Sequence, residues 1–338
     1  MYVLVSPFSK TFDDIWLTYI VPDFLVWEIK IWQVIEIPIK NFIELWVVLD
    51  IFETVNTDYD ESKIKSIISI KNHDIFLSNY RVELMKWISK YYFTAIHNSL
   101  NLFFPKNLRD KIQKDKVPKL NFINSEQNLY DYKFQNDVNI SKEQNSSNYT
   151  FEHNINLSKE QNIVLNDILE TEKQKILLYG LTWSWKTEIY IKLIKHYLDL
   201  WQQTLFLIPE IILTNQLSNK IKNVFWKEVI IINSTITDAT KSKYWIDIYN
   251  VSAKIIVWTR SAIFYPYNNL WLIIIDEEHD NSYISDSAPR YNTIEVAEKI
   301  SEYNWTKLIL ASGTPSVKSM YKAVKWDYKI VNLLKKYS

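Results

Sequence analysis

Apolar and polar residues alternate through Ile29-Lys-Ile-Trp-Gln-Val-Ile-Glu-Ile-Pro38, and a second apolar run follows at Leu45-Trp-Val-Val-Leu-Asp-Ile51. A period of two, rich in β-branched residues, predicts strands. Residues 1 to about 80 therefore read as a small all-β unit, a barrel or a sandwich. A helix is predicted from about Val82 to Tyr92, and the segment closes near Pro105. From Lys106 to about Asn154 the texture turns polar, dominated by Asn, Gln, Lys, Ser and Asp. Within it Ile140-Ser-Lys-Glu-Gln-Asn145 recurs nearly unchanged as Leu157-Ser-Lys-Glu-Gln-Asn162. Such a composition predicts a linker over residues 106–156. A degenerate small helical domain is the alternative.

From Leu157 onward the pattern changes again. Ile176–Tyr179, Thr204–Ile208, Lys254–Val257, Leu272–Asp276 and Lys307–Ala311 are short apolar runs, with helical patterns such as Lys186–Leu198 between them. Continuous apolar strands separated by helices are buried on both faces, so residues 157–338 predict an α/β unit on a parallel sheet.

Composition sharpens this picture in three places. The formal net charge is zero, so no global basic field advertises a nucleic-acid partner, although a local groove can be basic on a neutral protein. There are no cysteines, which removes disulfides and thiolate zinc sites. The N-terminus lacks a basic region followed by an apolar run, and no apolar stretch reaches the ~18 residues of a membrane helix, so a soluble cytoplasmic protein without a membrane partner is expected. Glycine is the anomaly: the chain has 2 Gly and 14 Trp.

The chemistry lies in two segments. The first α/β strand leads into Gly180-Leu-Thr-Trp-Ser-Trp-Lys-Thr187 and then a helix. A phosphate-cradling loop has the form G-x-x-x-x-G-K-[ST] in that setting, and this segment departs from it only at Trp185. Residues 180–187 would then line the nucleotide, with Lys186 on the β/γ-phosphates and the Thr187 hydroxyl on Mg²⁺. The second segment, Leu272-Ile-Ile-Ile-Asp-Glu-Glu-His279, is an apolar strand ending in three carboxylates and a histidine. Asp276 is placed to hold Mg²⁺ through water, and Glu277 to orient and deprotonate an attacking water. Together the two predict a site for ATP and Mg²⁺, with His279 beside it. A solvated acidic turn is the plainer reading of the second segment.

Four more segments complete a pattern: Pro209-Glu-Ile-Ile-Leu-Thr-Asn-Gln216, Val257-Trp-Thr-Arg-Ser-Ala-Ile-Phe264, Asp276-Glu-Glu-His-Asp-Asn-Ser-Tyr283 running into Pro289-Arg-Tyr291, and Ala311-Ser-Gly-Thr-Pro-Ser316. In order and spacing they resemble the PriA family of primosomal replication-restart DNA helicases, in superfamily 2. Thr11-Phe-Asp13 and Lys86-Trp-Ile-Ser-Lys-Tyr-Tyr92 resemble that family's DNA 3′-end-binding domain. The resemblance implies a barrel-like 3′-end-binding domain over 1–105 and a RecA-like first helicase lobe over 157–338. It places Phe12 and Asp13 in a 3′-end pocket, and Thr214, Gln216, Thr259 and Arg260 along a single-stranded DNA track. It gives residues 280–290, with Tyr283 and Arg290, the task of signalling DNA binding to the ATP site. Ser312 and Thr314 would couple hydrolysis to lobe movement. Phe12 as barrel core and Thr214 as a helix cap are the plainer alternatives.

By the same resemblance, the complete protein would unwind branched DNA 3′ to 5′. Its partners would be single-stranded DNA, primosomal proteins and single-stranded-DNA-binding protein. The chain departs from the family pattern in several respects. Residues 106–156 are short for the family's winged-helix domain. The second motor lobe, its arginine and the family's zinc-binding cysteines are not in these residues, and Gly313 stands where the family has Ala. Another superfamily 2 translocase, RecG-like or a restriction motor, and a non-catalytic DNA-end-binding fragment remain the alternative readings.

The tryptophans fall on this pattern unevenly. Trp183, Trp185, Trp258 and Trp271 stand where the family has glycine, and Trp32, Trp46, Trp201, Trp226 and Trp326 fall at turns where glycine is expected. Trp16, Trp27 and Trp305 lie in looser turn contexts. Trp87 and Trp245 fall where the family itself has Trp. A side chain forced into a glycine-only backbone region costs about 1–3 kcal/mol, which twelve sites could not easily absorb. The distribution predicts UGA codons that encode glycine but are rendered as tryptophan; a Trp-rich inactivated paralogue is the rival.

Overall fold

The computed structural model describes residues 1–7, 16–54, 61–71, 77–114, 156–180, 186–209, 215–225, 229–231 and 236–334. The N-terminal unit is a five-stranded antiparallel sheet built from β1 (Tyr2–Pro7), β2 (Leu17–Ile20), β3 (Val34–Ile39), β4 (Phe42–Phe52) and β5 (Ser69–Ile70), in the order β2-β1-β4-β3-β5. Period-two patterning does here what the sequence predicts. Ile35, Ile37, Trp46 and Val48 join Val3 and Val5 in one core, while Val34, Val47 and Leu49 face the other way into a second. The two edges meet where Ile20 donates to Lys65 O at 2.9 Å and accepts from Ile67 N at 3.0 Å, which gives the sheet its barrel-like closure.

Three helices follow: α1 (Asn79–Tyr91), α2 (Ile96–Phe103) and α3 (Lys106–Gln113). The third corrects the sequence expectation. A linker was expected from Lys106, yet Leu108 and Ile112 are fully buried on α3. Two apolar residues four apart make one helical face, and that outweighs the polar composition around them. Residues 115–155 lie outside the described residues, and with them the first copy of the Ser-Lys-Glu-Gln-Asn repeat. The second copy opens α4 (Lys159–Glu170) as a capping box: Gln161 N donates to Ser158 Oγ at 3.1 Å, and Ser158 N to Gln161 Oε1 at 2.8 Å.

The α/β unit then runs β6 (Lys175–Gly180), α5 (Lys186–Asp199), β7 (Gln203–Leu207), α6 (Asn215–Phe225), β8 (Val229–Ile231), α7 (Asp238–Tyr249), β9 (Ile255–Trp258), β10 (Leu270–Ile275), α8 (Thr293–Asn304), β11 (Lys307–Ser312), α9 (Val317–Val324) and β12 (Lys329–Leu333). All neighbouring strands are parallel, in the order β12-β6-β11-β10-β7-β9-β8. The apolar strands are buried on both faces. Leu178, Phe206 and Ile274 meet α4 and α5 on one side; Leu177, Leu205 and Ile273 meet the opposite layer. That second layer is continuous with α1, α2 and α3, so one apolar cluster runs from Trp32 to Tyr328 across both units. Polar staples cross the same seam: Trp245 Nε1 donates to Phe103 O at 2.8 Å, and buried Arg81 donates to Phe264 O at 3.2 Å.

Candidate functional site

Parallel strands place all their C-terminal ends on one edge, where an open α/β sheet leaves a crevice. β6 ends at Gly180 there, β10 runs out into Asp276, and β11 ends at Ser312. The loop residues Leu181, Thr182, Trp183, Ser184 and Trp185 lie outside the described residues, but both of their flanks are fixed. Lys186 begins α5 with its side chain 8% exposed, and its Nζ donates to Gly180 O at 2.9 Å. The same ammonium lies 3.8 Å from Glu277 Oε1. Thr187 follows, half-buried, on the first turn.

Asp276 is the buried member of the cluster. Its N–H donates to Leu207 O at 3.1 Å, tying it to the neighbouring strand, and its carboxylate Oδ1 accepts from Tyr190 Oη at 2.8 Å. Burial pushes its carboxyl up to about 6; the Tyr190 hydrogen bond and Lys186 oppose that, and Glu277 adds to it. Burial and the neighbouring Asp276 push the Tyr190 hydroxyl well above the usual tyrosine range, so it stays a donor. Sequence reasoning missed Tyr190. It lies one helical turn past Lys186, on the same face of α5, and that spacing was the available signal.

The next three residues turn sharply. Glu277 adopts φ 46°, which brings its carboxylate back toward Lys186 and within 3.5 Å of His279 Nδ1. The same His279 Nδ1 lies 2.8 Å from Ser312 Oγ, and Ser312 Oγ also accepts from Thr314 N at 2.9 Å. A contiguous polar chain thus runs from the β10 edge to the turn after β11. Glu278, unassigned by the sequence, is 2% exposed and points elsewhere: its carboxylate accepts from Ser316 N at 2.5 Å, Ser316 Oγ at 3.1 Å and Ser319 Oγ at 3.0 Å, holding the N-terminus of α9.

The residues expected along a DNA track fare differently. Phe12, Asp13 and Thr214 lie outside the described residues, and Gln216 is described only as backbone in the first turn of α6. Thr259 precedes the short 3₁₀ turn Arg260–Phe264 at the end of β9. Arg260 does not stand free on the track. Its Nη1 donates to Ser282 O and Ile284 O, both at 2.9 Å, and its Nη2 lies 3.6 Å from Asp286. Tyr283 is buried, donating to Asp276 O at 2.7 Å and Leu207 O at 3.1 Å, while Arg290 is exposed. The start of the loop between them is thus tied both to Arg260 and to Asp276.

Comparison with known proteins matches two families to separate stretches of the chain. A family described as the 3′ DNA-binding domain of PriA matches residues 4–105, and one described as the res subunit of type III restriction enzymes matches residues 154–317. Replication restart protein PriA of Rickettsia felis is 30% identical over 345 residues, covering 99% of this chain and 46% of that protein. PriA of Bacillus subtilis is 38% identical over 170 residues, 50% of this chain and 21% of that one. The solved helicase domain of Pyrococcus furiosus Hef superposes with a TM-score of 0.41 at 18% identity, covering 52% of this chain and 38% of that one. Fold and family matches together define a parallel α/β lobe of the type III restriction enzyme res-subunit kind joined to an antiparallel 3′ DNA-binding domain. The chain belongs to the PriA family of replication restart proteins. It spans about half the length of the curated relatives it matches. Among the described residues no helix is long and apolar enough to cross a membrane, and no three metal-ligating side chains cluster.

Proposed function

We propose that this chain is the DNA-end-reading and nucleotide-binding part of an ATP-dependent helicase that unwinds branched DNA 3′ to 5′ at replication restart. The observation that carries the reading is the gathering of Lys186, Asp276, Glu277 and His279 at one sheet edge, within reach of Ser312. The donor set fits a magnesium nucleotide. A buried ammonium at the start of a helix suits phosphate oxygens, while a hydroxyl and a buried carboxylate suit a hard divalent cation.

In this reading Lys186, now bonded to Gly180 O, would hold the terminal phosphates, and Thr187 and Asp276 would hold the cation. The bound cation supplies charge neutralisation for phosphoryl transfer. Tyr190 fixes the rotamer of Asp276. Glu277, the more exposed carboxylate, takes the proton of the attacking water. The His279–Ser312–Thr314 chain carries a change at that carboxylate to the turn after β11. Arg260 links the segment after β9 to the 280–290 loop, so DNA lying along Thr214, Gln216 and Thr259 would be felt at Asp276 through Tyr283. Phe12 and Asp13 would receive the 3′ end. Single-stranded-DNA-binding protein and primosomal proteins are the expected partners of the complete protein, which would also bring the zinc site.

The test measures binding of a fluorescent ATP analogue with Mg²⁺, and of a forked DNA, to the full chain. Lys186→Ala should weaken nucleotide binding tenfold or more, about 1.4 kcal/mol, and leave DNA affinity within about twofold, since that affinity rests on separate phosphate contacts. Equal loss of both would mark Lys186 as structural and sink the assignment. DNA-stimulated ATP hydrolysis by the chain alone separates an enzyme from a DNA-end binder.

A further inference from the structure

Eight non-glycine residues among those described adopt left-handed backbone, and four of them are tryptophan: Trp32 (φ 76°), Trp201 (60°), Trp305 (56°) and Trp326 (66°). The other four are of four different types. Tryptophan occupies 14 of 338 positions, so chance would put fewer than one at eight sites.

Three of the four end helices, two of them with the same pair of backbone bonds. After α5, Trp201 N–H donates to Leu198 O at 2.9 Å and Gln202 N–H to Tyr197 O at 2.9 Å. After α9, Trp326 N–H donates to Ala323 O at 3.1 Å and Asp327 N–H to Lys322 O at 2.9 Å. Trp305 caps α8 in the same backbone region. This paired-bond terminator needs a left-handed residue, and glycine fills it because a Cβ there meets the following carbonyl. The indoles recover little in packing. They are 60%, 80% and 68% exposed at 201, 326 and 305, and the visible partner of the Trp201 ring is the Lys254 ammonium above it. Trp32 is fully buried, yet its indole N–H meets no acceptor among the described residues.

Trp87 and Trp245 are the contrast. Both lie within helices, stacked on Tyr91 at 4.8 Å and Tyr249 at 5.4 Å, and Trp245 Nε1 donates to Phe103 O. A large ring is useful where they stand.

We propose that the protein as its source makes it carries glycine at 32, 201, 305 and 326. One codon is decoded there as glycine and stands in this sequence as tryptophan. Backbone angles, exposure and ring packing at these positions make no use of the nucleotide site, so the two readings stand or fall independently.

Peptide mass spectrometry of the protein from its natural source reads these positions by residue mass. Glycine at 32, 201, 305 and 326 with tryptophan kept at 87 and 245 is the expected result; an indole at any of the first four overturns the proposal. The recombinant chain gives a second measurement. Trp201→Gly, Trp305→Gly and Trp326→Gly should each raise Tm by about 2–4 °C, relief of strain exceeding the added chain entropy of glycine. Trp245→Gly should lower it. An unchanged or lower Tm in any of the three exposed variants removes the strain on which the proposal rests, and overturns it.

Discussion

Asp276 shows what a buried functional carboxylate costs. Its pKa of about 6 in the folded chain lies above the 3.8 of an unfolded one. The folded state therefore binds the proton more tightly, and this group's contribution is fully present below pH 3.8 and lost as pH rises through about 6. At neutral pH the charged Asp276 is a burden of about 1–3 kcal/mol. Asp276→Asn keeps an oxygen for the Tyr190 hydroxyl and has no charge to bury. We expect it to raise the midpoint of urea unfolding at pH 7.5, with the advantage shrinking toward pH 4.5, while metal-dependent nucleotide binding falls. A variant less stable than the parent at pH 7.5 would show that Asp276 is held by something other than burial. The sequence named Asp276, Glu277, His279 and Lys186 from their spacing. It could not show that Glu277 and Glu278, adjacent and alike, part company, since only the left-handed turn at Glu277 decides which carboxylate faces Lys186 and which is buried.

At the scale of elements, Glu278 joins the strand before it to a helix far along the chain. Its carboxylate takes two hydroxyls and one backbone N–H at the start of α9, and its own N–H donates to Ala311 O at 3.1 Å. Glu278→Ala leaves Ser316 N, Ser316 Oγ and Ser319 Oγ to find other acceptors in a buried setting, at a cost of about 2–3 kcal/mol. Amide exchange should quicken first in α9 and β12, ahead of α5. Uniform acceleration across the sheet would mean that Glu278 acts on the whole lobe. The longer apolar strands β6, β7, β9, β10 and β11 were legible in sequence. Two edge strands were not: β8 is apolar but only three residues long, and β12 is broken by exposed Asn332. Helix α3 was missed for the opposite reason: its polar composition hid two buried residues.

At the scale of the whole molecule, the N-terminal sheet and the α/β lobe share an apolar cluster and are pinned by Tyr92, whose hydroxyl donates to Glu295 Oε2 at 2.6 Å and accepts from Asn292 N at 3.1 Å. Such a seam couples the two units, and thermal unfolding of the described core should be a single cooperative transition. Tyr92→Phe strands the Asn292 N–H and takes one donor from Glu295, which keeps Lys318, and should lower that transition by about 2–4 °C for each 1 kcal/mol lost. Calorimetry decides: one peak moving down is expected, while two peaks in the parent would show that the units melt separately.

What the sequence determined by itself was whatever rests on local periodicity and spacing: a small all-β unit followed by a parallel α/β lobe, a Lys-Thr pair after one strand, an acidic run after another, and a family resemblance covering both units. It also held the glycine deficit, since counting needs no coordinates. Tertiary structure decided which side chains meet. The pairing of Tyr190 with Asp276, of His279 with Ser312 and of Arg260 with Ser282 and Ile284 spans 86, 33, and 22 and 24 residues. Contacts at such separations leave no periodic trace, because they are set by strand order and by which helix covers which face. The same holds for the tryptophans. Their number was visible in sequence, but only backbone angles show that three of them end helices where a Cβ is least welcome.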